Sequence, residues 1–160
     1  MAIRFSEGLR DKLLGENGVD TGADGLRGIF KDGIIEIRTG AQPASASDAT
    51  SGTLLGTVTI DAGAFTPGVA TNGLEFDAPS SGAVSKVAAD NWKFNGVADG
   101  TAGWFRFKAN ALDDNTSSTT LPRIDGSIAK TGGDLNLSNT AIVTSAPHTI
   151  DVFTLTIALN

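Results

Sequence analysis

The sequence predicts an all-β fold, specifically a β-sandwich or jelly roll of about eight antiparallel strands, preceded by a short N-terminal helix and an extended arm. Apolar side chains recur with a period of two from residue 33 onward, which is the pattern of half-buried strands. Seven Asn-Gly or Asp-Gly pairs supply the positive φ angles that tight turns between strands require. A chain of 160 residues, 40% of them hydrophobic, fits one domain with a single core.

Charge divides the chain into two parts. Residues 1–40 hold 13 of the 30 charged side chains, so this quarter of the sequence differs in character from the rest. The predicted organisation is therefore an N-terminal helix and arm over residues 1–32 and a β-sandwich body over residues 33–160.

The N-terminal part begins with a helical pattern. Residues 6–14 are predicted to form a short amphipathic helix capped by Ser6, because apolar side chains recur at helical spacing at Phe5, Leu9, Leu13 and Leu14. Residues 17–28 contain four glycines and few apolar residues, which predicts an extended arm or loop outside the core.

The body reads as a series of strands. Ile35 and Ile37 open the alternation, and the next strand, residues 53–60, is predicted to place Leu54, Val58 and Ile60 on one face. Further strands are predicted around residues 74–78, 92–94, 104–109 and 150–159. In the last of these the apolar positions change parity between Val152 and Phe153, which predicts a β-bulge. Two stretches of low complexity, residues 41–51 and 113–120, are predicted surface loops.

The two tryptophans receive different predictions. Trp92 shares its face with Phe94 and is predicted to lie in the core. Trp104 shares its face with Arg106 and Lys108, so it is a large aromatic on an otherwise polar face. It could be a rim residue, a partner or sugar contact, or part of a second core.

Composition argues against several classes of function. A net charge of −6 without a run of Lys or Arg disfavours direct nucleic-acid binding. The absence of Cys removes disulfides, thiolate nucleophiles and sulfur-ligated zinc. No apolar stretch approaches the ~20 residues of a spanning helix, so we expect no membrane partner and a chain that starts in a cytoplasm.

No motif commits the sequence to catalysis. His148 is the single histidine, and a surface or strand-edge position is the favoured interpretation. Residues 20–25 resemble the opening of a calcium loop, but Lys31 stands where a bidentate Glu is required. Asp113 with Asp114, and Glu75 with Asp77, offer carboxylate pairs that are expected to be solvated. We therefore expect no catalytic residue, no metal and no cofactor.

A set of ordered motifs resembles a family of small virion structural proteins of tailed bacteriophages. These motifs are GIIEIRTG at 33–40, QPASA at 42–46, GTLL at 52–55, GWFRF at 103–107, DGSI at 125–128, GDLNL at 133–137 and TIDVFTLTI at 149–157. The resemblance implies a virion location and assembly in the host cytoplasm. It further implies a capsid decoration (cement) or minor head protein whose partner is the major capsid protein or another virion protein, with a homotrimer as the favoured oligomer. It carries over no catalytic residues.

Two sets of side chains are the expected contacts. Phe5, Leu9 and Leu13 would reach a neighbouring subunit from the arm, while Trp104, Asp113 and Asp114 would meet a partner or ligand on the body. The alternative function is a tail- or fibre-associated receptor- or carbohydrate-binding β-sandwich module that uses Trp104 and the loop at residues 113–120.

Overall fold

The fold class predicted from the sequence is confirmed. The computed structural model describes residues 3–6, 25–78 and 83–156, and within these ranges the protein is almost entirely β. The described residues contain one short helix, α1 (Gly25–Ile29), and eleven strands: β1 (Arg4–Phe5), β2 (Ile34–Thr39), β3 (Leu54–Ile60), β4 (Ala83–Ser85), β5 (Trp92–Asn95), β6 (Gly100–Lys108), β7 (Arg123–Ala129), β8 (Leu135–Asn136), β9 (Ala141–Ile142), β10 (Pro147–Ile150) and β11 (Thr154–Thr156).

Most of the strands form one curled sheet in the order β1-β7-β6-β2-β3-β5-β10, with every neighbouring pair antiparallel. Two short strands add to this path, because β9 pairs with the start of β6 and β8 pairs with the end of β7. The β7–β8 pair is parallel, so the expectation of a purely antiparallel sheet is wrong at this point. A second, two-stranded sheet consists of β11 and β4.

The core lies on the inner face of the curled sheet. The period-two alternation of β2 and β6 places Ile35 and Ile37 opposite Phe107 and Phe105, and all four side chains are fully buried. The β4–β11 sheet covers this face and contributes Leu155 to the same apolar cluster. An aromatic group fills the centre, with ring centroids 4.8–6.1 Å apart, and consists of Phe30, Phe76, Trp92, Phe105, Phe107 and Phe153.

The face predicted for strand β3 is partly wrong. Its pairing with β2 shifts register, so that Ile37 faces Gly56 while the next residue, Arg38, faces Leu54. This β-bulge turns Leu55 inward, where it is buried together with Val58, whereas Leu54 and Ile60 are half-buried.

The Asn-Gly and Asp-Gly pairs divide into turns and strand positions. Asp32 and Asn72 adopt positive φ angles of 58° and 52°, as the turn prediction requires. Asp125-Gly126, in contrast, lies inside β7, so the turn prediction is wrong there. A Cβ at Gly126 would lie 2.6 Å from the Phe105 ring. This glycine therefore serves close packing and not chain reversal.

The N-terminal residues are part of the body. Arg4 and Phe5 pair with Asp125 and Ile124 of β7, and the Ser6 N–H donates to the Arg123 carbonyl at 3.1 Å. Ser6 therefore continues the pairing of this edge strand. The predicted helix over residues 6–14 otherwise lies outside the described residues.

The predicted arm is also partly corrected. Residues 17–24 lie outside the described ranges, but Leu26 of α1 and the adjacent Phe30 are buried in the core. Arg27 fixes α1 further by donating from Nε to the Phe76 carbonyl at 3.0 Å. The end of the predicted arm is thus a packed element.

The C-terminal segment contains two separate strands where a single bulged strand was predicted. β10 pairs with β5 and β11 pairs with β4, so the chain passes from one sheet to the other between them. Ile150, Phe153 and Leu155 are buried, while Val152 is 74% exposed and does not share the inner face with Ile150. A crossing between sheets explains the change of parity.

Candidate functional site

The outer face of the curled sheet carries a buried group of charged side chains, which we call the charge cluster. Six of its seven members alternate with core residues along β2, β6 and β7 and point away from the apolar core, and the seventh, Asp113, lies in the loop between β6 and β7. The cluster contains four cations and three anions: Glu36, Arg38, Arg106, Lys108, Asp113, Arg123 and Asp125. Charged side chains are almost never fully buried unless they are paired, and here the pairs are formed within the cluster.

Arg106 and Asp125 form the deepest pair. They lie directly opposite each other on β6 and β7, and both side chains are completely inaccessible. The guanidinium binds the carboxylate in a bidentate manner, with Nε to Oδ1 at 2.8 Å and Nη2 to Oδ2 at 2.7 Å. The remaining nitrogen, Nη1, donates to the Asp48 carbonyl at 3.0 Å.

Glu36 connects β2 to β6 within the cluster. Its Oε1 accepts from Lys108 Nζ at 2.7 Å, and its Oε2 accepts from Arg38 Nε and Nη2 at 3.0 and 2.8 Å. Asn115 adds a third donor, because its Nδ2 lies 3.0 Å from Glu36 Oε1. This carboxylate therefore links β2 and β6 to the loop at residues 113–120.

The two low-complexity loops form the cover over the charge cluster. They bind each other through Thr50 N–H to the Asn115 carbonyl at 3.0 Å and Ser118 N–H to the Ser47 carbonyl at 2.8 Å. They also supply backbone acceptors to the buried cations, such as the Asp113 carbonyl for Lys108 Nζ at 3.0 Å. The loops are at the surface, as predicted, but they also act as the layer that seals this face.

The pKa values in the cluster follow from burial and pairing. Burial by itself raises the pKa of Glu36, but the charge of Lys108 and the hydrogen bonds it receives outweigh burial, so its pKa lies below the ordinary 4.5. The pKa of Asp113 is likewise lowered, since the hydrogen bonds from Arg123 and neighbouring donors exceed the effect of burial. For Asp125 burial dominates over the Arg106 pair, and its pKa is raised.

Trp104 belongs to this covered face. It is fully buried, its Nε1 donates to the Thr39 carbonyl at 3.2 Å, and the Arg106 guanidinium carbon lies 5.5 Å from its ring centroid. Of the three sequence interpretations, the second-core position is the one observed. An exposed stacking role for Trp104 is therefore wrong.

Two of the other predicted contact residues, Asp113 and Asp114, have different environments. Asp113 forms a bidentate pair with Arg123, at 2.7 Å from Nε and 2.5 Å from Nη2, and is not available as a surface contact. Asp114 is exposed and closes a local turn by accepting from the N–H and hydroxyl of Thr116. The Phe5 backbone lies in β1, while Leu9 and Leu13 lie outside the described residues. Among the described side chains, Trp104 and Asp113 lie on the covered face, whereas Asp114 is exposed.

His148 lies on β10 at the edge of the main sheet, as predicted. Its ring stacks on Phe94 with centroids 4.9 Å apart, and burial lowers its pKa. Within residues 3–6, 25–78 and 83–156, no group of three or more His, Cys, Asp or Glu could hold a metal. The segment at residues 20–25 that resembles the opening of a calcium loop lies outside these ranges except for Gly25. No helix among the described residues is long and apolar enough to span a bilayer.

A polar groove forms a second candidate site. It has a volume of about 360 Å³ and runs between the β8 region and the β10–β11 crossing. Carboxylate, amide and hydroxyl groups dominate its lining, which includes Asp134, Asn136, Ser138, Thr149 and Asp151. Asp134 is also structural, since its Oδ2 accepts from the N–H and hydroxyl of Ser127 at 2.8 and 2.7 Å.

Comparison with family models, with curated proteins and with solved structures finds no match for this chain. The geometry described above is therefore the basis of the functional argument.

Sequence reasoning missed the charge cluster. The alternation with apolar residues placed Arg106 and Lys108 on a polar face but did not show that this face is buried. The signal that could have revealed burial is the presence of opposite charges on three adjacent strands, together with a tryptophan on the same face.

Proposed function

We propose that this chain is a virion structural protein of a tailed bacteriophage, acting as a capsid decoration (cement) or minor head protein that stabilises the major capsid lattice. The observation that carries the proposal is the charge cluster. Its charged groups bind one another and the two loops, and so connect three strands to those loops. A body made rigid in this way suits a protein that keeps its shape while it packs against neighbouring subunits. The sequence resemblance supplies the virion context.

Exposed apolar side chains support a role in packing between subunits. Val97 and Val143 lie near the start of β6, in segments joined by the bridge between Gly96 and Thr144. Val69 and Leu112 lie near its other end, where the Asn110 side chain binds the Gly68 N–H and the Val69 carbonyl. All four are at least 49% exposed. Apolar contacts at both ends of the body are what a subunit seated between two others requires.

The decisive experiment is a reconstruction of the intact particle. We expect density for this chain on the head, between copies of the major capsid protein, with three-fold contacts between copies of the chain. Absence of the chain from purified particles would overturn the proposal.

A binding assay with particles that lack the chain tests the contact surfaces. Val97→Ser combined with Val143→Ser is expected to weaken binding, whereas Val152→Ser, which changes a still more exposed valine in the lining of the polar groove, is the control. The arm is tested by Leu9→Ser with Leu13→Ser. Deletion of residues 2–30 is unsuitable because it would remove β1 and the buried side chains of Leu26 and Phe30.

A tail- or fibre-associated carbohydrate-binding module is the second candidate, and the polar groove is the observation that favours it. Carboxylate, amide and hydroxyl groups are the partners that sugar hydroxyls require. In this case Asp151→Ala would abolish binding on a glycan array and Trp104→Phe would leave it unchanged. A silent array with the unmodified protein would remove this candidate.

A further inference from the structure

Three side chains of the charge cluster are arranged for a reaction that goes beyond ion pairing. Lys108 Nζ lies 2.7 Å from Glu36 Oε1 and 3.4 Å from Asn115 Oδ1. Asn115 Nδ2 donates to the same Glu36 Oε1 at 3.0 Å. An amine, a carboxamide and a carboxylate therefore meet at one buried point, where Lys108 and Glu36 are each 5% exposed.

We propose that Lys108 and Asn115 form an intramolecular isopeptide bond, with Glu36 as the catalytic residue that transfers the proton. Lys108 Nζ bonds to Cγ of Asn115, the Cγ–Nδ2 bond breaks, and Nδ2 leaves as ammonia. Glu36 Oε1 transfers two protons in succession from Nζ to Nδ2: the first makes Nδ2 a neutral leaving group, and the second converts the released ammonia to ammonium. Starting from the lysine ammonium, the products are a secondary amide and one ammonium ion, so atoms and charge balance without an oxidant or cofactor.

The position of Glu36 suits this transfer. An amine attacks a carbonyl carbon only in its neutral form, so a proton acceptor must touch Nζ. Arg38 occupies Glu36 Oε2 through two hydrogen bonds, which leaves Oε1 facing both the attacking and the departing nitrogen. One oxygen can therefore receive the proton and deliver it without rotation of the carboxylate.

The backbone of Asn115 and the Lys108 ammonium group are also held in place. Asn115 has a φ of 67°, its N–H donates to Asp113 Oδ1 at 2.9 Å, and its carbonyl accepts from Thr50 N–H at 3.0 Å. Lys108 is held in turn by the Asp113 carbonyl at 3.0 Å. Fixing two reacting groups in contact removes most of the entropic barrier of a bimolecular step.

The other lysines in the described ranges lack this environment. Lys31, Lys86, Lys93 and Lys130 are half-buried or exposed, while Lys108 alone among them is buried. Lys130 lies at the exposed turn after β7 and provides a matched control.

Intact-mass spectrometry of the purified protein tests the proposal directly. We expect a mass lower than the sequence mass by one ammonia, about 17 Da, and a tryptic digest in which cleavage after Lys108 is blocked and a branched peptide joins it to Asn115. Lys108→Arg and Glu36→Gln should restore the full sequence mass, whereas Lys130→Arg should keep the loss. Circular dichroism of each variant tests whether it is folded.

One other reaction gives the same loss of mass, namely succinimide formation at an Asn-Gly pair such as Asn72-Gly73. A succinimide hydrolyses at mildly alkaline pH and persists in Lys108→Arg, whereas the isopeptide bond does neither. The proposal is overturned if the folded protein keeps its full mass after prolonged incubation from mildly acidic to mildly alkaline pH. It is equally overturned if Lys108→Arg retains the loss. The main measurement is the mass of the unmodified protein, so the proposal can still be tested if one of the variants fails to fold.

Discussion

Replacement of Asp125 by Asn tests whether the charge cluster stabilises the fold through its pairs. The change is nearly isosteric, but it leaves the Arg106 guanidinium charged and buried without its carboxylate. The cluster would then hold four cations and two anions. Removing one partner of a buried pair costs about 3–5 kcal/mol, a large share of the roughly 5–15 kcal/mol that stabilises a typical domain. For a chain of this length, that corresponds to a fall in Tm of roughly 6–20 °C.

Urea unfolding followed by circular dichroism measures this effect, and a constant m-value would show that the unfolding transition remains comparable. Asp151→Asn is the matched control, since Asp151 is exposed, and a change of about 0.5 kcal/mol or less is expected. Replacing both partners, Arg106→Met with Asp125→Leu, should recover much of the loss because no charge is left unpaired. If Asp125→Asn is no more destabilising than Asp151→Asn, the pair contributes nothing and the reasoning fails.

Three further predictions concern single positions. The pKa of Asp113 is lowered from 3.8 on folding, so its ionised carboxylate contributes fully to the free energy of unfolding above pH 3.8, and this contribution disappears as the pH falls through the folded pKa. In urea titrations at acidic pH, the difference in stability between the unmodified protein and Asp113→Asn should therefore shrink. A difference that does not change with pH would contradict this. Gly103→Ala should lower the free energy of unfolding by about 1–3 kcal/mol, because its Cβ would lie 2.0 Å from the Gly40 carbonyl oxygen. Gly100→Ala is the control and should lower it less, because its Cβ would meet only the ends of side chains. Equal losses of stability in thermal melts would count against the packing argument. Trp104 should resist acrylamide quenching in a Trp92→Phe background, since it is fully buried, and efficient quenching would show that the loops do not seal the face.

The strand pattern was predictable because it depends on local alternation. Phe105 and Phe107 point inward on β6, and Trp92 and Phe94 are buried on β5, as the period of two indicates. Positions where the prediction failed depend on tertiary contacts. The bulge that turns Leu55 inward is set by the pairing of β3 with β2, which no window of sequence reveals.

The candidate site was less predictable for a related reason. Alternation distinguishes the two faces of a strand but not whether the second face is exposed. Here that face is covered by loops whose Ser, Thr and Asp residues are typical of solvent-exposed segments. Asp113 illustrates the consequence, because its position in an acidic loop suggests solvation, while its contact with Arg123 is set by a strand ten residues later.

The cover formed by residues 41–51 and 113–120 has a practical consequence for engineering. Polar, low-complexity loops are the usual choice for inserting an epitope tag or a displayed peptide. In this protein an insertion in either loop would remove backbone acceptors from buried arginine and lysine side chains. The expected result is a misfolded protein that does not display the insert. The exposed turn that contains Lys130 and Gly132 makes no such contact with the charge cluster among the described residues, and it is the better site for an inserted peptide.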